Sequence, residues 1–427
     1  VVYENHPVKG KLTIVKKGEV LDGFKDDFTY QAENLKGAEF QIYAAEDIYT
    51  ADFQKDENGN RILEYAAGTL IKTVTTDRDG KAVLENLPLG SYKIVETAAP
   101  EGFVLNSEAQ KVTFSYKDQE TPVIEQTAVI ENDRQKVEVS VVKQDAGNET
   151  PIAGAEFGLY AKKDIEAQGT VIVKADTLLG KAVSDKKGKA VFTADVPFGE
   201  YYIRELKAPK GYVLSDEVLE VKAEYEGQDV KVVRVSSVFK NQPTKVVISK
   251  SDLTTGVELS GATLTVLDRD GKVVDTWKSV KGEQHLIERL AVGETYTLCE
   301  EMAPYGYLRA EEITFTIKDT GEIQKVEMKD DVPKGTIIIN KNGEFLEKVT
   351  LLDSVGGWIS HLFQYVAGNL SDVTFEVYAM EDVKAADGES EDYYKKDELV
   401  ATITTDAAGI ATVSDLPLGK YYVKEKS

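Results

Sequence analysis

Along most of the chain apolar and polar residues alternate with a period of two, in short runs closed by Gly, Pro, Asp or Asn. In a strand successive side chains point to opposite faces, so each run predicts a half-buried β-strand. The phase of these runs carries more information than their number. Leu12, Ile14 and Lys16 share one face, as do Tyr92, Ile94 and Glu96, and again Ala128, Ile130 and Asn132. In each case an apolar, inward-facing row ends on a residue that belongs in water.

The same order recurs along the chain. Asn86-Leu87-Pro88-Leu89-Gly90-Ser91-Tyr92, running to Glu96 and closed by Ala99-Pro100-Glu101-Gly102-Phe103, returns around Tyr201 to Glu205 with Ala208-Pro209-Lys210-Gly211-Tyr212. It returns again around Tyr296 to Glu300 with Ala303-Pro304-Tyr305-Gly306-Tyr307, and a fourth time as Leu416 to Glu425. Each copy predicts a turn, a strand and a second turn. A repeat decides the architecture before length does. It divides the chain into an isolated last strand of a preceding unit (1–5), three full units (6–133, 134–242 and 243–333) and a fourth, 334–427, that stops short of its closing strands. The linkers, such as Gln242-Pro243 and Val332-Pro333, are too short to act as loose tethers. One stretch departs from period two: Val355, Trp358, Ile359, Leu362, Phe363 and Val366 recur at helical spacing and predict a short helix in the last unit. The expected class is all-β, a tandem series of β-sandwiches.

Composition narrows the functions. With 427 residues and 42% hydrophobic side chains, three or four cores can form. A net charge of −23 argues against nucleic acid and anionic membrane surfaces, since phosphate binding needs clustered cations. No apolar run is long enough to span a bilayer, so no membrane insertion is expected in this stretch. The single cysteine, Cys299, rules out an intrachain disulfide framework and reads as a plain thiol. Asp56-x-Asn58-x-Asn60 opens like a calcium loop, but Arg61 stands where glycine is needed and Ala67 where the bidentate glutamate belongs. A solvated turn is the better reading, and neither a metal nor a cofactor is called for.

The polar row ends are the candidate chemistry. A terminal lysine on one strand ordinarily snorkels to water. The recurrence of Lys16, Lys143, Lys250 and Lys341 in one phase argues instead for a buried group. Each complete unit adds a glutamate (Glu96, Glu205, Glu300) and an acceptor (Asn132, Asn241, Asp330). Burying such groups is costly unless they pair with one another. Desolvation lowers a lysine's pKa and raises a glutamate's, which produces a nucleophilic amine beside a carboxylic acid. Against a carboxamide, the amine can attack carbon while the acid polarises oxygen and moves the proton. Ammonia then leaves, or water where the acceptor is aspartate. The fold supplies the effective concentration.

These residues resemble the Cna-B or SpaA-like prealbumin domains of Gram-positive surface adhesins and pilins. The marks of the likeness are the lysine strand, Gly-Ala-Glu-Phe with Tyr-Ala, the Leu-Pro-Leu-Gly turn with its Tyr and Glu, Ala-Pro-x-Gly-aromatic, and the closing Asn. The resemblance implies immunoglobulin-like sandwiches of about seven strands with self-formed intramolecular isopeptide bonds. Carried over, these are Lys16–Asn132 with Glu96 and Lys143–Asn241 with Glu205. The third unit, with Ala291 in place of the turn proline and an aspartate acceptor, gives Lys250–Asp330 with Glu300. Asn5, Lys341 and Glu425 are parts of incomplete sites. The function implied is structural and not enzymatic beyond a single turnover: an extracellular, cell-wall-attached stalk whose partners are its neighbouring domains. The runner-up is an adhesin region that contacts a host surface or matrix ligand, for instance through aromatics near Trp358 or Tyr393-Tyr394. A hydrolase built on paired carboxylates is the enzyme rival, and it does not explain why each Glu comes with a Lys and an amide.

Overall fold

The computed structural model describes residues 6–52, 54–352 and 360–426, and among them every regular element is a strand. The chain divides into two compact units, residues 1–243 and 244–427. The isolated strand expected at 1–5, with Asn5, lies outside the described residues, as do Val355, Trp358 and Ile359.

In the first unit, Lys9–Phe24 is the axis of one sheet. It pairs in parallel with Val123–Asn132 and antiparallel with Lys81–Leu87. Facing it is the sheet of Leu70–Thr75, Glu39–Ala44, Gly90–Ala98 and Gln110–Phe114. Between the two lie Leu12, Ile14, Phe40, Ile42, Tyr92 and Ile94, all fully buried. The second sandwich repeats the plan. Lys136–Asp145 runs between Lys189–Val191 and the parallel Val232–Asn241, over a sheet of Leu178–Val183, Glu156–Ala161, Gly199–Lys207 and Val218–Ala223. First and last strands of each sandwich thus lie side by side and point the same way. The chain therefore enters at one end and leaves at the other.

An arm joins these two sandwiches. The opening strand runs on past its sheet and pairs with Phe28–Asn34, with a bulge between Leu21 and Gly23. Leu21, Phe24, Phe28 and Tyr30 then pack against the core of the second sandwich, where Phe28 is 6% exposed. Tyr30 Oη donates to Asp195 O at 2.7 Å. Arg134 stacks over the Tyr30 ring at 3.7 Å, pairs with Asp195, and has its Nε 3.6 Å from Glu19.

In the second unit, Lys245–Asp252 lies between His285–Glu288 and the parallel Gln324–Asp330. The facing sheet is Val273–Lys278, Thr263–Leu267, Thr295–Met302 and Ile313–Thr316. The last repeat pairs Lys334–Asn340 with Ile410–Pro417 and sets Thr374–Ala379 between Leu399–Thr404 and Tyr421–Glu425. A long hairpin, Asn342–Leu352 with Ser360–Asn369, occupies the place of the expected helix. Leu362, Phe363 and Val366 are strand residues. Their helical spacing arises because both faces of this hairpin carry apolar side chains, with Leu362 and Val366 on one and Phe363 and Tyr365 on the other. A helix here would also place Gly356-Gly357 in its interior, where each glycine is unfavourable.

Phe28→Ala should cost about 3–5 kcal/mol in the second sandwich, the usual loss for emptying a buried phenylalanine site. Calorimetry of the full chain would show this as an earlier transition for the second sandwich with the third unchanged. An unshifted trace would mean that the arm is no part of that core.

Candidate functional site

The parallel pairing of first and last strands sets the geometry. Lys16 lies opposite Ile130, Lys143 opposite Phe239 and Lys250 opposite Met328. The acceptors Asn132, Asn241 and Asp330 stand two residues further on, and so share the lysine's face. The glutamate comes from the facing sheet, where Glu96, Glu205 and Glu300 lie opposite Phe40, Phe157 and Leu264. Two sheets thus deliver three polar groups to one point at the end of the core. All nine residues are buried, the lysines to 0%, 0% and 2% exposure.

In the first sandwich Lys16 Nζ donates to Asn132 Oδ1 and lies 3.3 Å from Glu96 Oε1, while Asn132 Nδ2 donates to that same Oε1 at 3.0 Å. Glu96 Oε2 is held by the amide of Asn106 at 3.0 Å. In the second, Lys143 Nζ donates to Asn241 Oδ1 and sits 3.1 Å from Glu205 Oε1, and Asn241 Nδ2 donates to Oε1 at 2.9 Å. The amide of Ser215 holds Glu205 Oε2 at 3.0 Å. In both, Oε2 is pinned by backbone and Oε1 stands between amine and amide; in the second, Asn241 Nδ2 also donates to Oε2, at 2.7 Å. Glutamate faces the nitrogen side of the carboxamide, where the sequence argument had placed it on oxygen. With amine and acid in their ionised forms, an ammonium must face the carbonyl oxygen and a carboxylate the NH₂. Burial pulls Lys16 and Lys143 below the usual lysine range, and the facing glutamates oppose that shift without cancelling it.

The third site differs as its acceptor requires. Lys250 Nζ contacts Asp330 Oδ1 and lies 2.9 Å from Glu300 Oε1, and the amide of Ala310 donates to Glu300 Oε2 at 2.7 Å. Asp330 Oδ2 takes the position of an amide nitrogen but brings no proton. It and Glu300 Oε1 are buried without a hydrogen-bond partner, the lysine contact to Oε1 being close but poorly aligned. Desolvation first, and then Glu300, push the Asp330 carboxyl up to about 6 although Lys250 pulls it down. A proton shared by the two carboxyl groups would satisfy both orphaned oxygens. In the last repeat Lys341 Nζ and Glu425 Oε2 meet at 2.7 Å, with side chains 30% and 48% exposed. They touch no acceptor among the described residues.

Several residues without an assigned role in the sequence reading support the site. Tyr92 and Tyr201 donate back to the turn carbonyls of Pro88 and Pro197, and Tyr421 does so to Pro417. In the third unit, without that proline, Tyr296 accepts from the amide of Ala291 at 2.9 Å. The aromatic after Ala-Pro-x-Gly closes the site: Phe103 is buried over Gly18, while Tyr212 and Tyr307 donate to Asp145 and Asp252. The lysine backbone is set by a hairpin glycine. Lys16, Lys143 and Lys341 donate their amides to Gly80, Gly188 and Gly409. In the third unit the Glu258 side chain takes the amide of Lys250 instead. Asp-x-x-Gly is the signal that would have found these glycines. Asp56, the first residue of the calcium-like loop, turns its carboxylate onto the amides of Asn58 and Asn60. Cys299 is a buried thiol raised by desolvation, Tyr393 and Tyr394 are half-buried, and Trp358 lies outside the described residues.

Gly188 has φ +75°, and a Cβ there would stand 2.4 Å from Lys143 O. Gly188→Ala should therefore displace the lysine strand and destabilise the second sandwich by about 1–3 kcal/mol, which a melting curve would register. A neutral outcome would show that the glycine does not position the lysine.

With this geometry in view, the chain matches the SpaA family, described as a prealbumin-like fold domain, over residues 25–128, 137–236, 244–332 and 366–427. It is 34% identical over 94 residues to the trypsin-resistant surface T6 protein of Streptococcus pyogenes serotype M6, covering 22% of this chain and 15% of that one. It is 26% identical over 308 residues to the serine-aspartate repeat-containing protein D of Staphylococcus aureus strain Newman, covering 66% of this chain and 22% of that one. The chain thus spans a small part of either relative. Among solved structures it is similar to the Bacillus anthracis TIE protein, with 28% identity, TM-score 0.48, and 76% and 51% of the two chains covered. It is also similar to BcpA, the major pilin subunit of Bacillus cereus, with 13% identity, TM-score 0.37, and 76% and 100% covered. The chain belongs to the SpaA family of prealbumin-like domains.

Proposed function

We propose that the chain is a stalk segment of a Gram-positive cell-surface protein, and that its sandwiches weld themselves internally through Lys16–Asn132, Lys143–Asn241 and Lys250–Asp330. The observation that carries this reading is the contact between a buried lysine and its acceptor, with a glutamate oxygen within about 3 Å of the amine in each of three sandwiches. In water such a triad would titrate and part. In the dry end of the core the amine and the acceptor side chain meet only each other and the glutamate, whose second oxygen is held by a backbone amide.

The chemistry follows from the protons. Transfer from Nζ to Glu96 gives a neutral amine and a carboxylic acid, each better tolerated by burial than the ions. Hydrogen-bond roles then exchange: the acid can donate to the amide, and the nitrogen lone pair is free to attack Cγ of Asn132. The Nζ–Cγ bond forms, Glu96 gives its proton to the departing nitrogen and takes one of the two protons left on Nζ, the Cγ–Nδ2 bond breaks and ammonia leaves. Lys143, Glu205 and Asn241 follow the same course. At the third site Lys250 attacks Asp330 and water leaves.

The bond would join first and last strands across 116, 98 and 80 residues. By the loop-entropy relation used for disulfides, each such link is worth about 5 kcal/mol against unfolding. Its mechanical effect is larger. Because these strands are parallel neighbours, tension on the two ends shears them past each other, and the link carries that load directly. A chain with one cysteine has no disulfide route to the same end. The partners this reading requires are the adjoining sandwiches, and display of an adhesive region elsewhere in the polypeptide fits a stalk.

Intact mass tests the whole proposal. Each Lys–Asn closure should remove about 17 Da and the Lys–Asp closure about 18 Da, the masses of ammonia and water expelled when the amine displaces them. An unshifted mass would sink it. Glu205→Ala should restore about 17 Da and lower the melting point of the second sandwich alone, since the proton carrier is then missing from only one site.

The third site should also respond to pH with a definite sign. At the asparagine sites the reactive pair, amine with glutamic acid, holds the same protons as ammonium with glutamate, so none is drawn from solvent. Asp330 must be a carboxylic acid to be attacked, which requires one more proton, and its carboxyl is pushed up to about 6. Closure there should be constant well below pH 6 and slow by about tenfold per pH unit above it, as for any step that needs a protonated acid. The Lys–Asn sites should show no such loss over that range. Refolding the chain at pH 5 to 8 and following each linked peptide by mass would decide it. Equal closure rates at all three sites at pH 8 would count against the assignment.

A further inference from the structure

The first and last repeats each send out an arm after the lysine strand, and the two arms correspond residue by residue. Lys16-Lys17-Gly18-Glu19-Val20-Leu21 aligns with Lys341-Asn342-Gly343-Glu344-Phe345-Leu346. Leu21 pairs with Tyr30 and Leu346 with Tyr365; Glu19 pairs with Ala32 and Glu344 with Ala367. The register then slips at the same point, between Leu21 and Gly23 and between Leu346 and Lys348. Beyond the bulge, Phe24 faces Phe28 as Val349 faces Phe363. Alternation across the bulge puts Leu346, Tyr365, Val349 and Phe363 on one face, the counterparts of Leu21, Tyr30, Phe24 and Phe28.

What differs is the occupant. The first arm's face lies on the core of the second sandwich. The fourth arm's face is open, with Leu346 51%, Tyr365 57%, Val349 45% and Phe363 52% exposed. Four adjoining apolar side chains at half exposure on a two-stranded hairpin form the kind of surface that marks an interaction site. Such a hairpin is marginal in water by itself.

We propose that the arm 342–369 grips a further prealbumin-like sandwich of the second repeat's kind, placed along the same polypeptide as the second sandwich is placed on the first arm. The occupant's chemistry can be read from the occupied copy. It offers an apolar groove to Phe363 and Val349, a backbone carbonyl to the Tyr365 hydroxyl, and a cation that stacks on Tyr365 and reaches Glu344. Those are the parts that Asp195 O and Arg134 play for Tyr30 and Glu19. The second and third repeats make tight turns after their lysine strands and extend no arm. This inference stands whether or not the isopeptide bonds form.

The test is a graft within the full chain: residues 342–369 replace 17–34, so that the fourth arm meets the second sandwich. The expected result is amide exchange in the grafted arm at least ~100-fold slower than in the same graft carrying Tyr365→Asp and Phe363→Asp, as for a docked rather than a frayed segment. A graft that exchanges as fast as its Asp control, with the second sandwich still folded, overturns the proposal. Should the graft misfold, a milder variant, Gly23→Lys with Phe24→Val and Thr29→Gln, gives the first arm the fourth arm's identities beside the groove. Retained protection there supports the proposal, and lost protection opposes it. Sedimentation of the unaltered chain supplies the remaining outcome: a reversible dimer abolished by Phe363→Asp would put a second copy on the arm and overturn the assignment to a sandwich in the same polypeptide.

Discussion

Each sandwich depends on taking a lysine, a glutamate and an acceptor out of water together. Removing any one would strand an uncompensated charge or polar group in the core, at a cost of about 3–5 kcal/mol for a broken buried pair. Most of the supporting architecture limits where those three groups can go. The parallel pairing of first and last strands puts Lys16 and Asn132 on one face two residues apart. The facing sheet brings Glu96, whose outer oxygen is fixed by the Asn106 amide and whose inner oxygen is left for the other two groups. Tyr92 closes the turn before the glutamate strand, and Phe103 covers the site's open side.

The strand arrangement that would permit the proposed cross-link is also the one that would load it. Parallel first and last strands let the chain pass through a sandwich from end to end, as a stalk requires. Load applied that way falls on a single ladder of hydrogen bonds in shear. The first arm addresses the junction between units in another way, by placing Phe28 of one sandwich in the core of the next and clamping Tyr30 between Asp195 and Arg134. The proposed covalent link within sandwiches and the packed arm between them would act in series.

The strands and the triads were legible in the sequence because both rest on period two. Lys16 stands out only because Leu12 and Ile14 fix its phase, and that phase recurs with Lys143 and Lys250. The arms were not legible for the same reason. A hairpin that leaves its own sheet to cover a neighbour has its apolar residues chosen by a surface elsewhere in the chain. In the fourth arm apolar residues fall on both faces, and Leu362, Phe363 and Val366 then mimic a helix that the structure replaces with a strand. The glycines beside the lysines were hidden differently. Asp-x-x-Gly marks Gly188 as a turn, but the space that it leaves at Lys143 O lies some forty-five positions away and has no local mark.

One position shapes both the site and the course of the chain beyond it. The residue two past each lysine lies directly opposite the acceptor, as Gly18 lies opposite Asn132, Asp145 opposite Asn241 and Asp252 opposite Asp330. Where it is aspartate, its carboxylate caps the next amides, Gly147 and Asn148 in one unit and Thr254 and Thr255 in the other, and so turns the chain back at once. The same carboxylate receives the hydroxyl of Tyr212 or Tyr307, which seals the site. Where it is glycine no cap exists, and the strand runs on into an arm. A Cβ at Gly18 would collide with Phe103 and Leu35, and at Gly343 with Leu370. Phenylalanine in place of tyrosine at 103 is then the consistent choice, since with glycine at 18 there is no carboxylate for a hydroxyl to meet. The choice of Lys-x-Asp or Lys-x-Gly therefore goes with whether the strand turns back at once or runs on into an arm.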